Sequence, residues 1–112
     1  MTDCLFCKIV AGEIPSKKMY EDDEMLVFHD IHPIAPVHIL LIPKAHIDSL
    51  AHCEKVHEGL LGRLLLLAPK LALQLGLNEG FRTMLNTGRG GGQEVFHLHL
   101  HVFGGAEKIP RI

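Results

Sequence analysis

Seven residues, His97-Leu98-His99-Leu100-His101-Val102-Phe103, constrain this chain more than any other stretch. Strict alternation of imidazole and apolar side chains is the period of a β-strand. On a strand, His97, His99 and His101 project from one face, and Leu98, Leu100 and Val102 from the other. The apolar side can join a core. The histidine side is a row of groups able to ligate metal, relay protons or attack an electrophile. A purely structural role would have to explain three imidazoles in the least soluble part of the chain.

The 112 residues suit one domain, spanning 1–112, with one core. A formal net charge of −2 and scattered Lys and Arg argue against a nucleic-acid surface. Tryptophan is absent and tyrosine occurs once, so stacking platforms for single strands are scarce. The longest apolar stretch, Leu64 to Ala68, is too short to span a bilayer. Met1-Thr2-Asp3-Cys4 lacks the basic and apolar regions of a signal peptide, and a cytoplasmic, reducing location is the expectation. There, close-spaced cysteines more often bind metal or catalyse than pair.

Asp3 is placed to cap a short helix over residues 4–10, with Gly12 as its stop. Cys4 and Cys7 then lie one turn apart on one face. Pro15 biases Ile14 toward extended backbone, so residues 13–16 form a loop. Residues 18–21 and 25–30 read as strands around an Asp22-Asp23 turn. Pro33 and Pro36 exclude a regular element between Ile31 and Val37. Residues 38–42 form a dense apolar run, a central strand buried on both faces that stops at Pro43.

Asp48 or Ser49 can cap a turn of helix. The long helix runs from about Glu54 to Leu75, ended by Gly76. Leu60, Leu61, Leu64, Leu65, Leu67, Leu71 and Leu75 cannot all face one sheet. The helix should therefore be covered on two sides, the second cover being another subunit. Pro69 removes a helical hydrogen bond, and one kinked helix is expected ahead of a break and restart. Residues 81–86 form the next strand, 88–93 a flexible loop, and Val95 onward the histidine strand. The pattern is α+β: an antiparallel sheet of about five strands, one long helix and a short N-terminal helix.

The loop Gly88-Arg89-Gly90-Gly91-Gly92-Gln93 leads into the histidines. Consecutive glycine N–H groups can point at an anion, although a flexible hairpin is the other reading. Beside three imidazoles the loop favours a phosphate site, and attack by imidazole on phosphorus becomes the chemistry to consider. A neutral histidine is a competent nucleophile near pH 7, since its ordinary pKa is about 6.5. His99, with a histidine on either side, is best placed for that role.

These residues resemble the histidine triad nucleotide hydrolases and transferases, whose signature is His-φ-His-φ-His-φ-φ ending in Gly-Gly, here Gly104-Gly105. Supporting matches are Phe28-His29-Asp30-Ile31, Pro36-Val37-His38, Ile42-Pro43-Lys44-Ala45-His46 and Gly91-Gly92-Gln93-Glu94-Val95-Phe96, so the resemblance runs from Cys4 to Gly105. The chain is most similar to the histidine triad nucleotide-binding branch, homodimeric purine nucleoside phosphoramidases.

The resemblance implies roles position by position. His99 matches the nucleophile that forms a nucleotidyl-histidine. His101 matches the residue at the phosphate and leaving group, and His38 a supporting histidine. Asp30 matches the carboxylate that accepts from both ribose hydroxyls, with Ile31 beside it. Leu5, Phe6, Ile9 and Phe28 match the apolar base slot, and Asn86, Gly92, Gln93, Glu94 and Val95 the phosphate side. Some relatives carry serine where this chain has Glu94, which adds negative charge near an anionic substrate.

Cys4-x-x-Cys7 is a weak signal alone, since thiols on a helix are often just small hydrophobes. Some members of the family hold zinc with two cysteines at these places and two histidines that match His46 and His97; others lack the cysteines and need no metal. Cys₂His₂ is a closed structural set, so a structural, non-catalytic zinc is expected and no organic cofactor. It would tie the N-terminal helix to the sheet, and in small peptides such a zinc contributes about 10–16 kcal/mol. His29, His32, His52 and His57 read as surface or packing residues, and Cys53 as an unpaired cysteine.

The resemblance therefore implies a hydrolase cleaving the P–N bond of adenosine 5′-phosphoramidates through His99. Its partners would be a purine nucleotide and a second copy of the chain, with no nucleic acid and no membrane. A slow nucleotide-binding regulatory module, a dinucleoside polyphosphate hydrolase and a metal-storage or metal-sensing protein are the alternatives.

Overall fold

A computed structural model describes residues 3–106. Met1 and Thr2 of the N-terminal reading, and the last residues of the expected 1–112 domain, lie outside the described residues.

Helix α1 spans Leu5–Val10. Its cap is Cys4, not Asp3: Cys4 Sγ accepts the Cys7 N–H at 3.3 Å. A cap must reach an N–H two or three residues on, and Asp3 stands one residue too early. Five strands follow: β1 (Lys18–Glu21), β2 (Met25–His29), β3 (Val37–Pro43), β4 (Arg82–Met84) and β5 (Leu100–Gly104). They form one antiparallel sheet in the order β1-β2-β3-β5-β4. The fold is α+β, as the pattern of strands, long helix and strands implied.

Between β3 and β4 the chain makes two 3₁₀ turns and then helix α2, Glu58–Gln74. Ser49 caps the first turn through the Ala51 N–H at 3.2 Å. Glu54 and His57 share a reciprocal cap, with the Glu54 N–H donating to His57 Nδ1 at 2.9 Å. That cap tightens residues 55–57 into a 3₁₀ turn, so the α-helix starts at Glu58 rather than Glu54. The helix then runs unbroken through Pro69.

The two faces of the sheet have different covers. Met25, Val27, Ile39, Leu41, Leu98, Leu100 and Val102 pack with Leu64, Leu67, Ala68, Leu71 and Ala72 of α2. On the opposite face, Leu26, Phe28, Leu40 and Ile42 pack with Phe6 and Ile9 of α1. β3 supplies residues to both clusters, which is why its apolar run is continuous. A six-residue helix cannot cover a five-stranded sheet. The face left open beside α1 is where His38 and His101 stand, in register with Phe103 and Leu40 across the β3–β5 ladder.

Two strands are shorter than the sequence pattern implies. The histidine strand is shorter than the alternation suggested: the ladder begins at Leu100, so His97 and His99 precede it. Pro43, at the end of β3, has no N–H to offer a partner strand, and its carbonyl is taken instead by the His97 ring at 2.7 Å. The strand expected over residues 81–86 contracts to Arg82–Met84 at the sheet edge. Asn86 therefore lies in the loop after β4. Among the described residues no helix is long and apolar enough to cross a membrane. On α2, Leu65, Leu66 and Leu73 remain exposed.

Candidate functional site

The open face holds a cavity of about 470 Å³, within the range of small-molecule sites. Leu5, Phe6, Ile9 and Phe28 form its apolar wall; Asp30, Ile31, His38, Asn86, Gly92, Glu94, Val95, His99 and His101 are among the residues that complete the lining. The sheet pleat and the short reach of α1 together bring these distant positions to one place.

His99 is buried, and its Nδ1–H donates to the His97 carbonyl at 2.7 Å. A carbonyl only accepts, so the proton sits on Nδ1, and Nε2 keeps its lone pair. Phe6 lies edge-on to the ring, with centroids 5.0 Å apart. Burial pushes the His99 pKa down, opposed by the bond to His97, so the ring stays neutral below the ordinary histidine range.

A second chain of bonds orients His101. The Ile34 N–H donates to His38 Nδ1 at 3.2 Å, which leaves the His38 proton on Nε2. That nitrogen lies 2.9 Å from His101 Nδ1 and 3.5 Å from Asp30 Oδ2. His101 Nδ1 is therefore an acceptor, and its Nε2 carries the proton. Burial, reinforced by neighbouring His99 and His38, lowers the His101 pKa to about 4. Burial also lowers that of His38, against the pull of Asp30. Asp30 itself turns the chain out of β2, its Oδ1 accepting the His32 N–H at 2.8 Å.

Cys4, Cys7, His46 and His97 converge beside this cavity, their donor atoms all within 4.8 Å of one another. Cys4 Sγ lies 3.3 Å and Cys7 Sγ 3.5 Å from His97 Nδ1; Cys7 Sγ is 3.2 Å from His46 Nδ1. The two Nδ1 atoms are 3.2 Å apart. A tetrahedral zinc with ordinary Zn–N and Zn–S bonds has ligand edges of roughly 3.3–3.8 Å. Each imidazole has its other nitrogen committed: His97 Nε2–H to Pro43 O at 2.7 Å, His46 Nε2–H to Asp48 Oδ1 at 2.6 Å. Two unprotonated nitrogens thus face each other, an arrangement a cation relieves. The set fits a structural zinc and has no open position for substrate.

Asp30, His38 and His101 also lie within 4.8 Å of one another. They do not fit a metal, because the Ile34 N–H obliges His38 to carry its proton on the nitrogen that faces the group.

Gln93 departs from the expected phosphate side. It is buried and does not line the cavity. Its Oε1 accepts the Gly88 N–H at 2.8 Å, and its amide donates to Asp48 O at 2.7 Å and Val95 O at 3.0 Å. It closes the glycine loop, which is a compact 3₁₀ turn over Arg89–Gly91 rather than a flexible hairpin. Gly92, at φ 84°, makes the left-handed step that ends the turn. His29 and His32, read as surface or packing residues, line the cavity. Leu40 and Met84 also line it. Leu40 shares parity with His38 on β3, which was a usable signal. Met84 is placed by its pairing with His101, which only the sheet order reveals.

The HIT domain family matches residues 11–108. Protein HitA of Neisseria gonorrhoeae is 58% identical over 104 residues, covering 93% of this chain and 97% of that protein. The 14 kDa zinc-binding protein of Brassica juncea is 50% identical, covering 94% and 95%. The purine nucleoside phosphoramidase of Escherichia coli is 46% identical, covering 98% and 93%. In structure, a histidine triad protein from Clostridium difficile aligns with a TM-score of 0.94 at 45% identity, covering 100% of this chain and 97% of that one. By sequence and by fold, the chain belongs to the HIT family.

Proposed function

We propose that this protein hydrolyses purine nucleoside 5′-phosphoramidates through a covalent nucleotidyl-histidine on His99. The observation that carries the proposal is the bond from His99 Nδ1–H to the His97 carbonyl, which leaves Nε2 as a lone-pair nitrogen in a cavity of nucleotide size. The similarity to the E. coli purine nucleoside phosphoramidase supports the substrate class.

In this reading the base lies against Leu5, Phe6, Ile9 and Phe28, and Asp30 accepts from the ribose hydroxyls. His99 Nε2 attacks phosphorus in line; a new N–P bond forms and the P–N bond to the amine breaks. The leaving nitrogen takes up one proton as it departs. Water then attacks the nucleotidyl-histidine, releases the nucleoside monophosphate and returns the proton. His101, with Nε2–H at the cavity edge, is placed to carry that proton in both directions. The Cys4, Cys7, His46 and His97 set would hold zinc as a structural tie between α1 and the sheet, supplying no reactive position. Multiple turnovers of an adenosine 5′-phosphoramidate test the reading. Tight AMP binding with no turnover would favour a regulatory module instead.

A further inference from the structure

Residue 97 belongs to two sites at once. Its ring Nδ1 completes the set formed with Cys4, Cys7 and His46. Its backbone carbonyl holds the His99 Nδ1–H, and that one bond decides which nitrogen of His99 faces the cavity. A second connection runs through α1. Cys4 and Cys7 bracket Phe6, whose ring lies 5.0 Å from His99 and 5.5 Å from Phe28, between centroids. At six residues α1 is too short to stay helical without tertiary anchors. Phe6 and Ile9 anchor it on the apolar side, and the two sulfurs anchor it at the cluster.

We propose that the Cys4, Cys7, His46 and His97 cluster, loaded with a soft divalent cation such as Zn²⁺, is a positioning device for the nucleotide cavity, so that metal occupancy and nucleotide affinity rise together. The proposal rests on reading that cavity as a nucleotide site. Without a cation, only weak S–H bonds, from Cys4 to His97 Nδ1 and from Cys7 to His46 Nδ1, offset the facing lone pairs of two Nδ1 atoms 3.2 Å apart, so the His97 ring and the α1 turn are held less firmly. Movement of either loosens the support of His99 or the wall formed by Phe6. A cation replaces those weak bonds with four ligand bonds and pins both. The nucleotide then meets an ordered wall and loses less freedom in binding. The cation can reach the set, since His46 is exposed and a cleft lined by Asp3, Cys4, His46 and Phe96 opens beside it.

Linkage makes the effect reciprocal: metal must tighten nucleotide by the factor by which nucleotide tightens metal. The test uses the full chain with Zn²⁺ and AMP. Zn²⁺ affinity is measured by competition with a chromogenic chelator, with and without saturating AMP. AMP affinity is measured by calorimetry, with and without one equivalent of Zn²⁺. Co²⁺ in place of Zn²⁺ reports thiolate ligation by its visible absorption, independently of turnover.

The expected result is tightening by the same factor in both directions, about fivefold or more. AMP should also shift the Co²⁺ absorption bands. Three results overturn the proposal, each at a different link. Absence of thiolate–Co²⁺ absorption removes the metal site. Failure of AMP to bind in either state removes the nucleotide site and the proposed function with it. Zn²⁺ and AMP binding with affinities that ignore each other leaves both sites standing and sinks the coupling alone.

Discussion

The bond between His38 and His101 has a direction, and a backbone amide sets it. The Ile34 N–H occupies His38 Nδ1, so His38 Nε2 donates across 2.9 Å to His101 Nδ1. His101 must then present Nε2–H to the cavity. A loop residue between two prolines thus fixes the tautomer of a histidine in another strand.

The neutral state of that pair carries a stability consequence. His101 titrates near 4 when folded and near 6.5 when unfolded, with burial the main cause. Between those values the unfolded chain binds more protons, so stability is full above about 6.5 and is lost as pH falls toward 4. Thermal unfolding of wild type and His101→Gln across this range should show a steeper acid loss in wild type. Parallel curves would contradict the assignment.

Asp30 should read ribose. Asp30→Ala is expected to weaken AMP about tenfold to a hundredfold, the worth of hydrogen bonds to a charged acceptor. It should leave 2′,3′-dideoxy-AMP nearly unaffected, because that ligand has no hydroxyls to donate. Calorimetry on both ligands checks this, and the comparison cancels the loss of the turn to His32.

Metal content is a separate outcome. Protein purified without a histidine tag should hold one zinc per chain, and a strong chelator should lower the melting temperature. Cys7→Ser should abolish retention, since its sulfur lies within 3.5 Å of both cluster nitrogens. Elemental analysis far below one zinc per chain would remove the metal site.

The exposed leucines of α2 are where a second copy would pack. Sedimentation should give a dimer for wild type and a monomer for Leu66→Asp. A monomeric wild type at micromolar concentration would contradict the expected assembly.

Much of this was legible in the residues, for physical reasons. Period-two alternation put Leu100 and Val102 in one core and His101 opposite. The continuous run of β3 marked a strand buried on both faces. Residues resembling the family's motif brought Asp30, His38, Asn86 and Val95 to one cavity. What stayed hidden depends on three-dimensional partners. Gln93 looks polar and available, yet its hydrogen bonds go to Gly88, Asp48 and Val95. The late start of β5 reflects Pro43 surrendering its carbonyl to a ring, which no local pattern announces. Cys4 displaced Asp3 as a cap because helix starts shift by one residue without altering the pattern that suggests them.

His99 Nε2 is the atom proposed to capture phosphorus. Mixing the chain with an adenosine 5′-phosphoramidate for less than one turnover, quenching into alkaline denaturant and mapping peptide masses tests it most directly. An adenylyl group should appear on the peptide containing His99 and be absent in His99→Asn, which still binds AMP. Nucleoside monophosphate forming at full rate from an unmodified chain, or from the His99→Asn variant, would contradict it.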